Sequence, residues 1–284
     1  MKDLIYGDKY VPVSDIACER KRADRDTDGV EFSIESGEGF VWERLRITNS
    51  TGARSIGRPI GRYDTLNLCN VHLLSDDELD DAQNELAKEL CSLVEELDIY
   101  PDKILVAGLG NEALTADSVG PKSALTVKQT RKSAAMPSTS DDCPCSEICT
   151  VAPSVCAKSG LESFEIIEAI SNLVRPNLII AVDSIATSSY KRLGRCIQLC
   201  DTGIAPGSGI GGRRLVLNEK NLGVPVIAIG APTVINSRLL CETDGSKAPF
   251  DGEELFVSPK EIDAIAEAYA KIISGGINQA FGIL

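Results

Sequence analysis

Histidine is nearly absent from this chain: His72 is the single one in 284 residues. A Ser-His-Asp or Cys-His nucleophilic centre would have to use that imidazole as its base. It stands just ahead of a helix start at Ser75, far in sequence from the strand ends where functional groups gather. A helical H-E-x-x-H zinc site needs two histidines and is excluded. Basic residues are also in deficit, 29 Lys and Arg against 42 Asp and Glu, for a net charge of −13. No surplus of cations is available to neutralise phosphates, so direct nucleic-acid binding is not expected. An acidic surface serves solubility, or favours basic partners. No run of eighteen apolar residues occurs, and residues 1–10 carry charges in place of an apolar leader core. The expectation is a cytoplasmic protein with no membrane contact. If the chain is a hydrolase, its acid and base are most simply carboxylates.

Cysteine, by contrast, is plentiful, with 10 in the chain. In a cytosolic protein these are expected as reduced thiols. Cys18, Cys69, Cys91, Cys196, Cys200 and Cys241 are scattered through apolar segments and read as small buried hydrophobes. Cys143, Cys145, Cys149 and Cys156 cluster instead in a polar, Ser/Pro-rich stretch, 136–156, that reads as a loop. Their C-x-C-x3-C spacing lacks the paired C-x2-C of common zinc sites. They are the only candidate metal ligands in the sequence, and a loop of free thiols is the favoured reading, with no metal and no cofactor expected.

The apolar pattern organises the chain as one domain over residues 1–284. Two alternating runs, Val30 to Ile34 and Phe40 to Thr48, predict a hairpin or meander, a small β-rich N-terminal portion. Ser75 with Glu78 forms a capping box ahead of an amphipathic helix from Asp76 to Leu97. From Lys103 onward, buried strands alternate with helices. Ile104 to Leu109, Asn177 to Val182, Cys196 to Cys200 and Val224 to Ile229 read as strands, and Leu161 to Val174 as a helix. The implied fold class is α/β, a mostly parallel central sheet flanked by helices, phosphorylase- or hydrolase-like. In such sheets function gathers at the carboxyl ends of strands, where Asn111, Asp183, Asp201 and Gly230 fall. Ser258-Pro259-Lys260-Glu261 predicts a capping box opening the last helix. The polar stretch before it, 241–257, reads as a loop.

Glycine motifs need care. Gly108-Leu109-Gly110 follows a strand, yet Ala113 stands where a dinucleotide fingerprint wants its last glycine. Gly207, Ser208 and Gly209 open a glycine-rich run that reads equally as an anion cradle or a flexible loop. Asp201-Thr202-Gly203 matches the D-T-G of pepsin-like proteases, but those are all-β and this tripeptide ends a strand in an α/β pattern.

Longer blocks carry a resemblance. Val106-Ala107-Gly108-Leu109-Gly110-Asn111, with Thr115 to Pro121 (T-A-D-S-V-G-P), resembles the first block of the germination protease family. Ile179 to Ala186 is similar to its second block, Ile197 to Gly211 to its third, and Leu222 to Val234 to its fourth. Ser14-Asp15-Ile16-Ala17-Cys18-Glu19, Ile56 to Gly61 and Ser258 to Ile262 are weaker echoes. The resemblance implies an atypical aspartic endopeptidase without a required metal. It further implies a zymogen that trims its own N-terminus, residues 1–13 being a short propeptide, and a homotetramer in the forespore and spore core. Small acid-soluble spore proteins would be the substrate. The family's two aspartates map onto Asp117 and Asp183, which are assigned jointly as acid and base. Asn111, Asp201, Gly207, Ser208 and Gly209 are candidates for substrate binding. Ala205 stands where the family usually has histidine. The alternatives are a related peptidase of the hydrogenase-maturation type, whose G-x-G-N…D-x-x-G-P start is similar, and an inactive member that binds small spore proteins without cutting them.

Overall fold

The computed structural model describes residues 14–20, 27–131, 146–206, 215–237, 239 and 255–282. Its backbone begins where local sequence is most decisive. The Ser75 side chain accepts from the Glu78 amide, and the Glu78 carboxylate accepts from the Ser75 amide, so the capping box forms and opens helix α2, Asp76–Glu96. Asp76, Asp77 and Glu78 in its first turn suit the positive end of the helix dipole. Leu86, Leu90 and Leu93, spaced three and four apart, form its buried stripe.

A nine-stranded sheet crosses the described residues in the order β1-β2-β3-β7-β8-β6-β4-β5, with β9 paired to the end of β8. These strands are β1 Val30–Ser36, β2 Val41–Ile47, β3 Gly61–Asn67, β4 Lys103–Gly108, β5 Glu147–Val151, β6 Leu178–Thr187, β7 Cys196–Cys200, β8 Val226–Asn236 and β9 Phe256–Val257. The other helices are α1 Ser50–Ile56, α3 Val119–Thr126, α4 Cys156–Ser159, α5 Ser163–Val174, α6 Glu219–Leu222 and α7 Ile262–Ala280.

The α/β class is as expected, and its parallel part is narrower than expected. Strands β5, β4, β6 and β8 run parallel. The hairpin pair β1–β2 is joined by β3 and β7, all antiparallel, and β7 is antiparallel to β8 as well. The reason lies in the connection 188–195 between β6 and β7. A parallel return needs a crossover of a dozen residues or more, and this segment holds only the short 3-10 turn Tyr190–Arg192. The chain therefore starts β7 at the end of the sheet where β6 stops.

Alternate residues of the central strands divide between two cores. Ile104 and Val106 of β4 and Ile180 and Val182 of β6 pack with α2, α3 and α7. Leu105, Ala107, Ile179 and Ala181 face the other way, against Phe164 and Ile167 of α5. Covering both faces is what allows these strands to be apolar throughout. Leu86, Ile180 and Tyr269 are each 0% exposed at the first interface, and truncating Leu86 to Ala there should cost about 2–5 kcal/mol.

Four sequence expectations change in detail. Strands β6 and β8 continue past Val182 and Ile229 to Thr187 and Asn236, because paired backbone groups satisfy one another whatever the side chain. Asp183 and Gly230 thus sit inside strands. The cysteine-rich stretch 136–156 is no simple loop, since it contains the edge strand β5 and the start of α4. The last helix opens at Ile262 without a side-chain cap; the Ile262 amide turns back to the Pro259 carbonyl at 3.2 Å instead of Ser258 and Glu261 forming a box. Of the expected loop 241–257, Phe256–Val257 forms β9.

Candidate functional site

The turn after β4 is shaped by glycine. Gly110 has φ +112°, and a Cβ there would lie 2.2 Å from the Asp117 carbonyl oxygen. Its bare backbone lets the segment 111–118 fold back on the strand end. There the Asn111 amide donates to the Asp117 carboxylate at 2.8 Å and to the Asp117 carbonyl at 3.0 Å. The Asn111 side chain is occupied locally, accepting from the Ala113 amide at 3.1 Å. Asp117 ends the 3-10 turn Thr115–Asp117, and Ser118 leads into α3 without a side-chain cap. A helix-capping role for Asp117, the usual fate of an aspartate after a strand, is therefore not what its carboxylate performs.

Gly120 then packs directly on the sheet, since a Cβ there would lie 2.2 Å from the Leu109 carbonyl and 2.4 Å from that of Val182. The Thr233 hydroxyl of β8 donates to the Ala116 carbonyl at 2.6 Å, and the Val119 amide donates to the Ser184 hydroxyl at 3.4 Å. These contacts tie the Asp117 turn to β6 and β8. Asp183 lies on β6 in register with Gly230 of β8, and is 4% exposed. On the far side of Gly230, Gln198 of β7 is the register partner. The two aspartates, remote in sequence, line one cavity of about 790 Å³.

Four charged residues line that cavity among the described residues: Asp15, Arg58, Asp117 and Asp183. Asp15 and Arg58 belong to short segments whose only sequence signal was the family resemblance of Ser14 to Glu19 and Ile56 to Gly61. Arg58 Nη2 lies 3.5 Å from the Asp15 carboxylate and donates to the Ser14 carbonyl at 2.9 Å. Its Nε is buried with no hydrogen-bond partner. Gln198, Ser184 and Tyr63 also face the cavity, and no sequence periodicity marks them. Ala205 lines it as well, so the position where the family usually carries histidine is part of the cavity wall.

The nucleophile alternatives are weak on chemical grounds. Burial pushes the thiols of Cys18, Cys91, Cys149, Cys196 and Cys200 up, Cys18 to about 12. Each is a neutral, poorly nucleophilic thiol at physiological pH. Burial also raises the Tyr63 phenol above its usual range, and its hydroxyl donates to the Pro59 carbonyl at 2.9 Å. His72 lies on a 3-10 turn away from the cavity, with Nδ1 buried and unbonded.

Other sequence candidates fall elsewhere. Asp201 is not brought to the cavity. Its neighbours Cys200, Thr202 and Gly203 do line the cavity, as does Ala228, the register partner of Cys200, so it is the alternation of side chains along the chain that turns Asp201 away from it. The Asp201 carboxylate accepts from the Arg62 amide at 2.8 Å. Gly207, Ser208, Gly209, Cys143 and Cys145 lie outside the described residues. Cys149 sits mid-strand in β5 with its Sγ 3.7 Å from the Ile104 carbonyl, and Cys156 begins α4. No cluster of three or more His, Cys, Asp or Glu side chains arranged for a metal occurs among the described residues. Nor does any described helix have the length and apolarity to cross a membrane.

Comparison with known proteins adds a family. A model of the peptidase family A25, germination protease, matches residues 11–244. The germination protease of Clostridium perfringens is 33% identical over 315 residues, an alignment spanning 94% of this chain and 94% of the relative. That of Clostridium tetani is 31% identical over 307 residues, again 94% of each. The Priestia megaterium germination protease is 33% identical over 234 residues, 81% of this chain and 63% of its own. Among solved structures, the NiFe hydrogenase maturation protease HycI of Thermococcus kodakarensis aligns with TM-score 0.38 and 18% identity, over 64% of this chain and 96% of that one.

Proposed function

This chain belongs to the germination protease family, and from that premise we propose that it is an endopeptidase that hydrolyses small acid-soluble spore proteins during germination. Asp117 and Asp183 are its acid–base pair. The observation that carries this reading is the sharing of one cavity by the two carboxylates that the family's blocks single out. Two carboxylates facing one space do not both ionise readily, so one holds a proton while the other is charged. The charged member takes a proton from a water molecule, whose oxygen attacks the scissile carbonyl carbon. The protonated member gives its proton to the carbonyl oxygen as the tetrahedral intermediate forms. Collapse of that intermediate returns a proton to the leaving nitrogen and separates the two peptide products. The pair titrates as a unit, and neither apparent pKa belongs to one residue. Arg58 supplies the cavity's one positive charge among the described residues. A homotetrameric zymogen of the spore core, trimmed at its N-terminus, is the accompanying expectation from the family.

The test is mass spectrometry of a small acid-soluble spore protein after incubation with the chain, with and without a chelator. Asp117→Asn and Asp183→Asn should each lower kcat/KM by about 10²–10⁴-fold while leaving the fold intact. Discrete cleavage that survives the chelator and is lost in both variants supports the pair. Full activity in either variant means that the acid has been misassigned.

A further inference from the structure

Glu19 is a buried carboxylate, its side chain 5% exposed. Four donors from one short stretch of chain converge on it. The Thr187 hydroxyl donates at 2.5 Å, the Ser188 amide at 2.7 Å and the Ser188 hydroxyl at 2.6 Å. Arg192 Nε lies 3.3 Å away. The Ser14 hydroxyl donates to the same carboxylate from the segment's own start. Charge-assisted bonds of this kind discriminate a carboxylate from its neutral amide.

The rest of the segment is held through its backbone and through the Asp15 carboxylate, which accepts from the Ala186 amide at 3.0 Å and faces Arg58. The Asp15 amide donates to the Ala186 carbonyl at 2.9 Å. Gln198 bridges two further main-chain groups, donating to the Asp15 carbonyl at 3.2 Å and accepting from the Ala17 amide at 2.7 Å. Ile16 is fully buried beside Ile185 and Cys196. This edge of β6 is open to such pairing because the ladder with β4 stops at Val182, while β8 occupies the opposite edge as far as Thr187. Main-chain bonds to a strand edge, one apolar contact and one side-chain pocket are the elements by which proteins read an extended peptide. The segment is also continuous with the cavity: Asp15, Ala186 and Gln198 all line it together with Asp117 and Asp183.

We infer that Thr187, Ser188 and Arg192 form a subsite for an acidic side chain of the peptide substrate, which Glu19 fills from within the same chain. This rests on the reading of the cavity as a peptide-cutting site. Structural need alone accounts poorly for the arrangement, since a buried ion pair adds little stability over apolar packing of the same volume. A peptide passing through the cavity along the β6 edge would set its acidic side chain where Glu19 lies, and would compete with the segment for the same donors.

The probe is a fluorescein-labelled heptapeptide with the sequence of residues 14–20, Ser-Asp-Ile-Ala-Cys-Glu-Arg, and its counterpart with Gln in place of Glu. Binding is read by fluorescence anisotropy against the full chain carrying Glu19→Gln, whose own segment no longer presents the charge. The Glu peptide should bind about tenfold or more tightly than the Gln peptide, as the loss of one charged hydrogen-bonding partner implies. Adding Ser188→Ala or Thr187→Val should remove most of that preference. Equal binding of the two peptides, or a preference that survives both substitutions, overturns the subsite. The same comparison in Glu19→Ala, which empties the pocket by a different substitution, makes the test independent of whether Glu19→Gln folds. Peptide discrimination without cleavage of any spore protein would leave the subsite standing and remove the protease reading. Cleavage without discrimination would do the reverse.

Discussion

The amide of Asn111 holds the carboxylate of Asp117 at 2.8 Å across a turn whose glycine, Gly110, stands at φ +112°. This bond helps to set where the carboxylate of Asp117, the less buried of the pair with Asp183, points. The turn can close only while position 110 lacks a side chain, because the Asp117 carbonyl lies where a Cβ would be.

Gly110→Ala should therefore act on the site out of proportion to its size. The strained backbone would cost about 1–3 kcal/mol, and the turn would relieve it by swinging Asp117 away from Asn111. The expected outcome is a folded protein with a modestly lower Tm and a kcat/KM reduced by more than tenfold on a spore-protein substrate. Retention of full activity with the same fall in Tm would mean that Asp117 does not need this placement.

A second prediction concerns pH and lies on the opposite side of β3 from the cavity. Asp64 is 1% exposed, facing Arg62 at 2.5 Å on its own strand, Arg44 of β2 at 3.7 Å, and Glu89 of α2. Burial, followed by the Glu89 carboxylate, outweighs the two arginines and pushes Asp64 up to about 7 from 3.8. The folded state therefore keeps a proton that the unfolded chain has already released. Stability from this group is fully present below the unfolded value and falls as pH rises from about 4 to about 7, by on the order of 2–4 kcal/mol. Thermal melts at pH 5 and pH 8 should show a larger difference in wild type than in Asp64→Asn, whose amide does not titrate. Parallel melting profiles in the two proteins would contradict this.

The sequence made some of this legible and hid the rest for identifiable reasons. Helix α2 was readable to within a residue because the Ser75–Glu78 box and the Leu86, Leu90, Leu93 stripe agree. Strands β4, β6 and β7 showed as apolar runs, but such a run reads the same in either direction, so the reversal of β7 left no trace. Strand β3 was invisible, since Arg62 and Asp64 break its pattern and are made tolerable only by Glu89 and Glu96 of α2. Asp117 was found through family resemblance alone, and Asp183 through that resemblance together with its place after an apolar strand run. Asp15 and Arg58 reach the cavity from segments with no periodicity at all; their short resemblances were the one signal available. The glycine-rich run at Gly207 and the thiols Cys143 and Cys145 lie outside the described residues.

Two aspartates that look alike in sequence, Asp183 and Asp201, each following an apolar strand run, are directed to different places, although Cys200 and Thr202 beside Asp201 line the cavity. Asp183 lies beside Gly230 in the cavity, whereas Asp201 accepts from the Arg62 amide and packs against Gly61, where a Cβ would lie 2.4 Å from its carboxylate oxygen. Asp201 thus works as a clasp between β7 and β3. Asp201→Ala should leave the Arg62 amide without its acceptor and cost about 1–3 kcal/mol, read as a lower Tm, while kcat/KM of the folded protein stays unchanged. Asp183→Asn should show the opposite pattern, an unaltered Tm with cleavage lost. If Asp201→Ala instead abolished cleavage at full stability, the D-T-G tripeptide would carry chemistry after all, and the assignment of the acid–base pair to Asp117 in the turn after β4 and Asp183 within β6 would have to be given up.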